Sequence, residues 1–257
     1  MPKWTTTPAT FSFDRIDLSK GNYLYIIKVA TITPELREYM DRVIGQLTYG
    51  NGGGDLDRVK RKIKKFLTPK KGTVQERGAI AEFFVHLFLN FRGYTPQFIA
   101  SNLEEGSLKK GFDGLYTYKG AEWLCESKSG SLIYENVSHA TKLTLAYRGL
   151  KKKLAGEDAN NPWANALYHA KVVDAEETLV KKISELSDRF EDGSFCDITE
   201  YCIMPAATIY LDGEPDINRA IIEKEVTAAI KGFPCQQIRA VCITQNSVDA
   251  FWTYLNS

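Results

Sequence analysis

Residues 111–128 of this 257-residue chain read GFDGLYTYKGAEWLCESK, the stretch with the clearest strand pattern in the sequence. Two runs rich in aromatic and apolar residues, 112–118 and 121–128, flank Lys119-Gly120, a pair typical of a tight turn. The pattern therefore predicts a β-hairpin. Side chains two positions apart on a strand share a face, so Glu126 and Lys128 should project together.

The predicted hairpin brings Asp113, at the start of its first strand, close to Glu126. Two converging carboxylates are hard oxygen ligands for Mg²⁺ or Mn²⁺, and the backbone carbonyl of Ser127 could be a third metal oxygen. Lys128 could then orient an attacking water and balance charge. This combination is suited to metal-assisted hydrolysis of a phosphodiester.

A further acid, Glu82, lies among apolar residues of a predicted helix, Val74–Phe91, where a partly buried carboxylate needs a partner or a metal. His86, four residues later, could simply bond to it. The competing interpretation of Glu126 and Lys128 is a surface ion pair on a hairpin. The metal site is favoured because this is the only Asp/Glu-x-Lys in the chain and it follows the Asp-Gly strand start.

Hydrophobic periodicity divides the rest of the chain into alternating helices and strands. Helices are predicted over 34–49, 56–67, 74–91, 136–154, 174–190, 216–231 and 248–255, and further strands over 23–32, 199–211 and 238–244, with an extended segment at 95–100. This order predicts an α/β fold with a mixed central sheet flanked by helices. Residues 1–54 are predicted to be an N-terminal strand–helix flank ending in a glycine-rich loop. Residues 55–257 are predicted to be the main domain, unless the whole chain is one compact unit.

Composition is that of a globular protein, with 44% hydrophobic and 25% charged residues. A chain of this length buries enough surface to fold without a metal or a disulfide, so a metal here would serve chemistry. The five cysteines contain no C-x-x-C pair, which argues against a disulfide framework or a thiolate zinc site. No apolar stretch is long enough to span a bilayer and no secretory signal is visible, so we expect a cytoplasmic protein without membrane contact.

The net charge of +1 hides a basic segment, Arg58–Lys71, with eight basic residues in fourteen and no acidic one. Such a density could neutralise several phosphates of a nucleic acid, although a solvated helix face is the plain alternative. The candidate phosphate contacts are Lys60, Arg61, Lys62, Lys64, Lys65 and, on the helix after the hairpin, Lys142. Residues 174–225 carry fourteen acids and five bases, a surface that would repel nucleic acid or meet a basic partner protein.

At these residues the sequence resembles the PD-(D/E)XK nuclease superfamily, with Asp113 as the motif Asp, Glu126-Ser127-Lys128 as the E-x-K, and Glu82 as the first-helix glutamate. One departure is Phe112 in place of the motif proline. The runs at 72–82, 111–114 and 126–130 also resemble the HamA family, the nuclease subunits of bacterial Hachiman anti-phage systems.

The resemblance implies a restriction-endonuclease-like core and the activity of a Mg²⁺-dependent DNA endonuclease or nickase. Asp113, Glu126 and Ser127 would hold the metal, and Glu82, Asp113, Glu126 and Lys128 would be catalytic. It also implies a heterodimer with a superfamily 2 helicase subunit (HamB-like) that controls the nuclease. This chain has no Walker motif, so ATP hydrolysis would come from that partner.

Two other functions stay open. A non-catalytic nucleic-acid-binding or adaptor subunit could keep the nuclease fold and grip DNA through the basic helix. A type II restriction enzyme would need a sequence-reading domain, and no such domain is recognisable.

Overall fold

The computed structural model describes residues 10–50, 54–97, 99, 111–158 and 160–257. Within them the chain forms seven strands and eight α-helices. The strands are β1 (Ser12–Asp17), β2 (Tyr23–Val29), β3 (Thr95–Pro96), β4 (Gly114–Tyr118), β5 (Ala121–Ser131), β6 (Cys202–Tyr210) and β7 (Gln237–Gln245). The helices are α1 (Pro34–Tyr49), α2 (Leu56–Leu67), α3 (Val74–Phe91), α4 (His139–Leu154), α5 (Pro162–Val172), α6 (Glu177–Glu191), α7 (Arg219–Ile230) and α8 (Asp249–Leu255).

The strands form one mixed sheet in the order β1-β2-β7-β6-β5-β4-β3. The four central strands, β2, β7, β6 and β5, are parallel, and both edges are antiparallel. Helices α1, α2, α3 and α8 bury their apolar residues on one face, and α4 to α7 bury theirs on the other. The prediction of an α/β fold with a mixed sheet between helices is confirmed. Because β2 pairs with β7, the strands of the predicted N-terminal flank belong to the same sheet as the hairpin.

The predicted hairpin is present as β4 and β5, paired from Gly114–Cys125 to Tyr118–Ala121. Its two turn residues, Lys119 and Gly120, have φ angles of 49° and 76°. Positive φ at both positions is the signature of a type I′ turn, whose twist matches that of the strands. Within the described residues, the pairing of β5 with β4 ends at Cys125, whereas its pairing with β6 continues to Ser131.

Two capped helices hold this hairpin from opposite faces. Helix α3 begins at Thr73, whose hydroxyl accepts a hydrogen bond from the Glu76 N–H at 3.3 Å. Helix α4 begins with a capping box formed by Ser138 and Thr141. These caps satisfy backbone donors that a helix start leaves free. Both helices contact β5, which fixes them relative to the end of the hairpin.

Some predicted elements differ from the structure. Strand β1 was not predicted because its sequence, SFDRID, has three charged residues and forms only as an edge strand against β2. Helix α5 was not predicted because Trp163 is the only large apolar side chain among its buried residues, the others being Pro162, Ala166, His169 and Ala170, which give a weak apolar pattern. The extended segment predicted at 95–100 forms a strand only at Thr95–Pro96, and residues 98 and 100–110, with the acidic loop, lie outside the described residues. Residues 51–53 of the glycine-rich run also lie outside them.

Candidate active site

Asp113 lies immediately before β4, where that strand separates from β5. Its backbone N–H donates to the Cys125 carbonyl at 3.1 Å, and its carboxylate accepts a hydrogen bond from the Ser127 N–H at 2.7 Å. The Asp113 carboxylate therefore accepts from Ser127 where a backbone carbonyl of the neighbouring strand would otherwise accept. The N–H and C=O of one strand residue point to the same side, so the Ser127 carbonyl also faces the side of β5 on which Asp113 lies.

The Glu126 side chain extends from β5 toward Gly149 of α4 and is only 2% exposed. The Lys128 Nζ donates to Glu126 Oε1 at 2.7 Å, which confirms that the two side chains share a face of the strand. The Lys153 Nζ, from the last turn of α4, donates to Glu126 Oε2 at 2.6 Å. Each carboxylate oxygen thus has its own ammonium group, and such paired charges are what permits an acid to be buried.

Glu82 reaches this region from α3, on the opposite face of the sheet. Its Oε1 lies 3.4 Å from His86 Nε2, so the predicted bond between these two residues is confirmed. The other ring nitrogen of His86 is hydrogen bonded to the Tyr116 hydroxyl of β4. His86 and Tyr116 are both fully buried, and the chain of contacts restricts where the Glu82 carboxylate can lie.

The electrostatics show that these groups act on one another. Burial, followed by the negative charges of Glu126 and Glu82, raises the pKa of Asp113 to about 7, against the smaller opposing effect of Lys153 and Lys128. Burial pulls the pKa of Lys128 down, but Glu126 and Asp113 outweigh it, so that pKa lies above its ordinary value. Burial is the largest cause of the raised Asp113 pKa and the two glutamate charges add to it, so positive charge close to Asp113 favours its ionised form.

The donor set fits a sparse magnesium site. Among the described residues no group of three or more His, Cys, Asp or Glu side chains is placed to hold a metal. Mg²⁺ is commonly held by one or two carboxylates, with waters and substrate phosphate completing its octahedron. Asp113, Glu126 and the Ser127 carbonyl offer oxygen atoms of that kind, and in this structure both Glu126 oxygens are bonded to ammonium groups.

The residues predicted to contact nucleic acid lie on two separate surfaces. Helix α2 packs against α1 and α8 on the α3 face of the sheet, whereas Lys142 lies on α4, where its side chain covers Gly130 of β5. On α2, Arg61 and Lys65 are exposed, as a phosphate contact requires.

The expectation that Lys60 belongs to the exposed basic face is wrong. Its side chain is buried, its ammonium lies 3.1 Å from Asp41 Oδ1, and it sits 4.2 Å from the centre of the Tyr254 ring. Lys60 therefore attaches α2 to α1 and α8. Two other lysines are partly engaged in the same way, since Lys62 lies over the Tyr49 ring and Lys64 bonds to Asn256.

Sequence reasoning did not single out Lys153. It is the last of three consecutive lysines, which by composition read as a solvated helix end. The available signal was its spacing, since it lies three residues after Leu150 and directly before Leu154, both in the core. Helical periodicity places such a residue at the border of the buried face, one turn from Gly149.

The chain matches no protein-family model and no functionally curated protein. None of the helices among the described residues is sufficiently long and apolar to span a membrane.

Proposed function

We propose that this protein is a metal-dependent deoxyribonuclease of the PD-(D/E)XK type, cutting or nicking DNA. The observation that carries the proposal is the arrangement at the end of the hairpin. There the Asp113 carboxylate is bonded to the Ser127 N–H, and the two residues that flank Ser127 on β5, Glu126 and Lys128, form an ion pair. Asp113 lies just before β4, Glu126 on β5 and Glu82 on α3, and the charges of the two glutamates both raise the pKa of Asp113.

In the proposed enzyme, Asp113, Glu126 and the Ser127 carbonyl hold Mg²⁺ or Mn²⁺. The bound cation would stabilise negative charge on the phosphate and make hydroxide available near neutral pH. Asp113, with its pKa near 7, gives up its proton readily once a cation is near.

Lys128 is the group proposed to meet the substrate. Its side chain is 40% exposed, whereas its partner Glu126 is 2% exposed, so the ammonium can reach a bound phosphate or its attacking water. Glu82 contributes a third acid from behind the hairpin, held by His86 and Tyr116. The chain's own residues therefore position water, phosphate and cation at one edge of the sheet.

DNA is proposed as the substrate from the family resemblance, and the charge distribution is compatible with it. Lys142 lies along the same face of β5 as Lys128, so it can contact a neighbouring phosphate of the bound strand. Arg61 and Lys65 offer a second, sequence-independent contact from the exposed side of α2.

The proposed setting is an effector subunit of a Hachiman-like anti-phage system, in a heterodimer with a helicase subunit that controls access to DNA. The exposed acidic residues of segment 174–225, such as those on α6, form the surface proposed to dock on that partner. Resemblance in sequence motivates this part of the proposal.

A non-catalytic DNA-binding adaptor is the second candidate. It is favoured by one observation: both oxygens of Glu126 already bind ammonium groups, so the carboxylate is satisfied without a metal. In an adaptor the cluster would be a buried ion-pair network and Asp113 would serve only as a backbone cap for Ser127.

Plasmid cleavage separates the two candidates. Purified protein, alone and with any helicase that a neighbouring gene encodes, is incubated with supercoiled plasmid in Mg²⁺, Mn²⁺ or EDTA. The nuclease proposal expects metal-dependent nicking that is lost in Asp113→Asn and Lys128→Met. Glu122→Gln is the matched control, because Glu122 lies on β5 but forms an exposed ion pair with Lys182. Cleavage that survives in both variants refutes the assignment of the nuclease site to these residues. DNA binding without metal-dependent cleavage in either preparation supports the adaptor.

A further inference from the structure

The two lysines that share Glu126 differ in how enclosed they are. The Lys128 side chain is 40% exposed and the Lys153 side chain 15%, around a carboxylate that is 2% exposed. Both hydrogen bonds are short, at 2.7 and 2.6 Å. Lys128 can therefore leave Glu126 for solvent or substrate, whereas Lys153 is confined to it.

Helix α4 is fitted to Glu126 at a second position. A Cβ atom added at Gly149 would come within 3.2 Å of Glu126 Oε1, closer than side chains normally pack. Gly149 and Lys153 lie one helical turn apart on the same side of α4. Gly149, which has no side chain, and the Lys153 ammonium therefore both face the Glu126 carboxylate. The glycine allows the close approach, and the lysine supplies the opposite charge.

A buried carboxylate that loses its ion-pair partner is strongly destabilised. If Lys128 were the sole partner of Glu126, its movement toward a phosphate would leave that charge uncompensated. Lys153 removes this conflict because it stays in place.

We infer that Lys153 is a positioning residue: it holds the Glu126 carboxylate against α4 and balances its charge, so that Lys128 is free to act on the phosphate. The inference rests on the proposed nuclease function and extends it. It predicts a division of labour, with Lys153 governing metal affinity through Glu126 and Lys128 governing the cleavage step.

The test compares Lys153→Met, Lys128→Met and the neighbouring Lys152→Met control in the full-length protein. Mg²⁺ affinity is measured by calorimetry, and cleavage by single-turnover plasmid nicking. Lys153→Met is expected to weaken Mg²⁺ binding at least ~10-fold, the usual effect of removing a group that orients a metal ligand. Lys128→Met is expected to keep Mg²⁺ affinity but lose cleavage, and Lys152→Met, at an exposed position, to behave as wild type. Lys153→Arg should recover most of the Mg²⁺ affinity.

Melting in EDTA shows whether Lys153 acts through Glu126. In the otherwise wild-type protein, Lys153→Met should lower the melting temperature. In the Glu126→Gln protein the same substitution should have little effect, because residue 126 then carries no negative charge to balance. If Lys153→Met does not fold, Lys153→Gln, which keeps a donor without the charge, takes its place in both measurements.

The outcomes are distinguishable. A wild-type protein that neither binds Mg²⁺ nor cleaves DNA refutes the proposed function itself. A wild type that does both, while Lys153→Met binds Mg²⁺ equally well, refutes the role of Lys153 alone. Equal destabilisation by Lys153→Met in the two backgrounds would likewise overturn it.

Discussion

Asp113→Asn should stabilise the metal-free protein at alkaline pH. In the folded chain burial and the charges of Glu126 and Glu82 raise the pKa of Asp113 to about 7, whereas an unfolded aspartate titrates near its ordinary 3.8. The fold therefore prefers the neutral acid. The stability that it contributes is complete below about pH 4 and is lost as the pH rises through about 7. Asparagine cannot ionise, so the variant escapes this loss, and its amide oxygen can still accept from the Ser127 N–H.

The size of the effect follows from the shift. Each pKa unit corresponds to about 1.4 kcal/mol, so between pH 5 and pH 8 the wild type should lose about 2–3 kcal/mol relative to Asp113→Asn. For a chain of this size that difference corresponds to roughly 4–12 °C in melting temperature.

Thermal melts at pH 5 and pH 8 in EDTA measure this difference, with Glu122→Gln as the control from the same strand. Adding Mg²⁺ at pH 8 should raise the melting temperature of the wild type but not that of Asp113→Asn, because only the ionised carboxylate binds the cation. If the melting temperatures of the wild type and Asp113→Asn change by the same amount between pH 5 and pH 8, the raised pKa does not belong to this buried acid.

Four other substitutions test three separate parts of the structure. Gly149→Ala should impair plasmid nicking, since its methyl group crowds Glu126, with a small change in melting temperature; full activity would contradict the close fit. Lys60→Met should destabilise the fold by about 1–3 kcal/mol and leave DNA affinity unchanged, whereas Lys65→Met should weaken DNA binding and reduce its salt dependence in filter-binding titrations. The reverse pattern would show that the buried lysine contacts DNA. Arg239→Met should destabilise the fold by about 1–3 kcal/mol in urea melts, because four aromatic rings lie within 4.2–5.5 Å of its guanidinium; an unchanged midpoint would exclude that contribution.

The parts of the site that were predictable are those set by local periodicity. The two-residue period of a strand places Glu126 and Lys128 on one face, and the Lys119-Gly120 turn fixes which residues of the hairpin pair. The same register places Asp113 opposite Glu126, one step beyond the last pair, whereas the bond from the Ser127 N–H to the Asp113 carboxylate was not predicted.

What escaped prediction depends on contacts between distant elements. The bond from Lys153 to Glu126 joins residues 27 positions apart, and it forms only if the last turn of α4 lies over Glu126 of β5. The burial of Lys60 depends on Asp41 and Tyr254, from helices at opposite ends of the chain. Strand β1 forms only because β2 already lies in the sheet to receive it. The pattern of residues along the sequence does not show which of these distant elements come into contact.

A crystal structure of the protein soaked with Mn²⁺, with the ion located by its anomalous scattering, would show directly whether Asp113 and Glu126 share a metal. We expect a peak in contact with the Asp113 and Glu126 carboxylates and the Ser127 carbonyl, at oxygen distances near the ~2.1 Å typical of Mg²⁺. A map without a peak at that position, with Lys128 and Lys153 still bonded to both oxygens of Glu126, would contradict it.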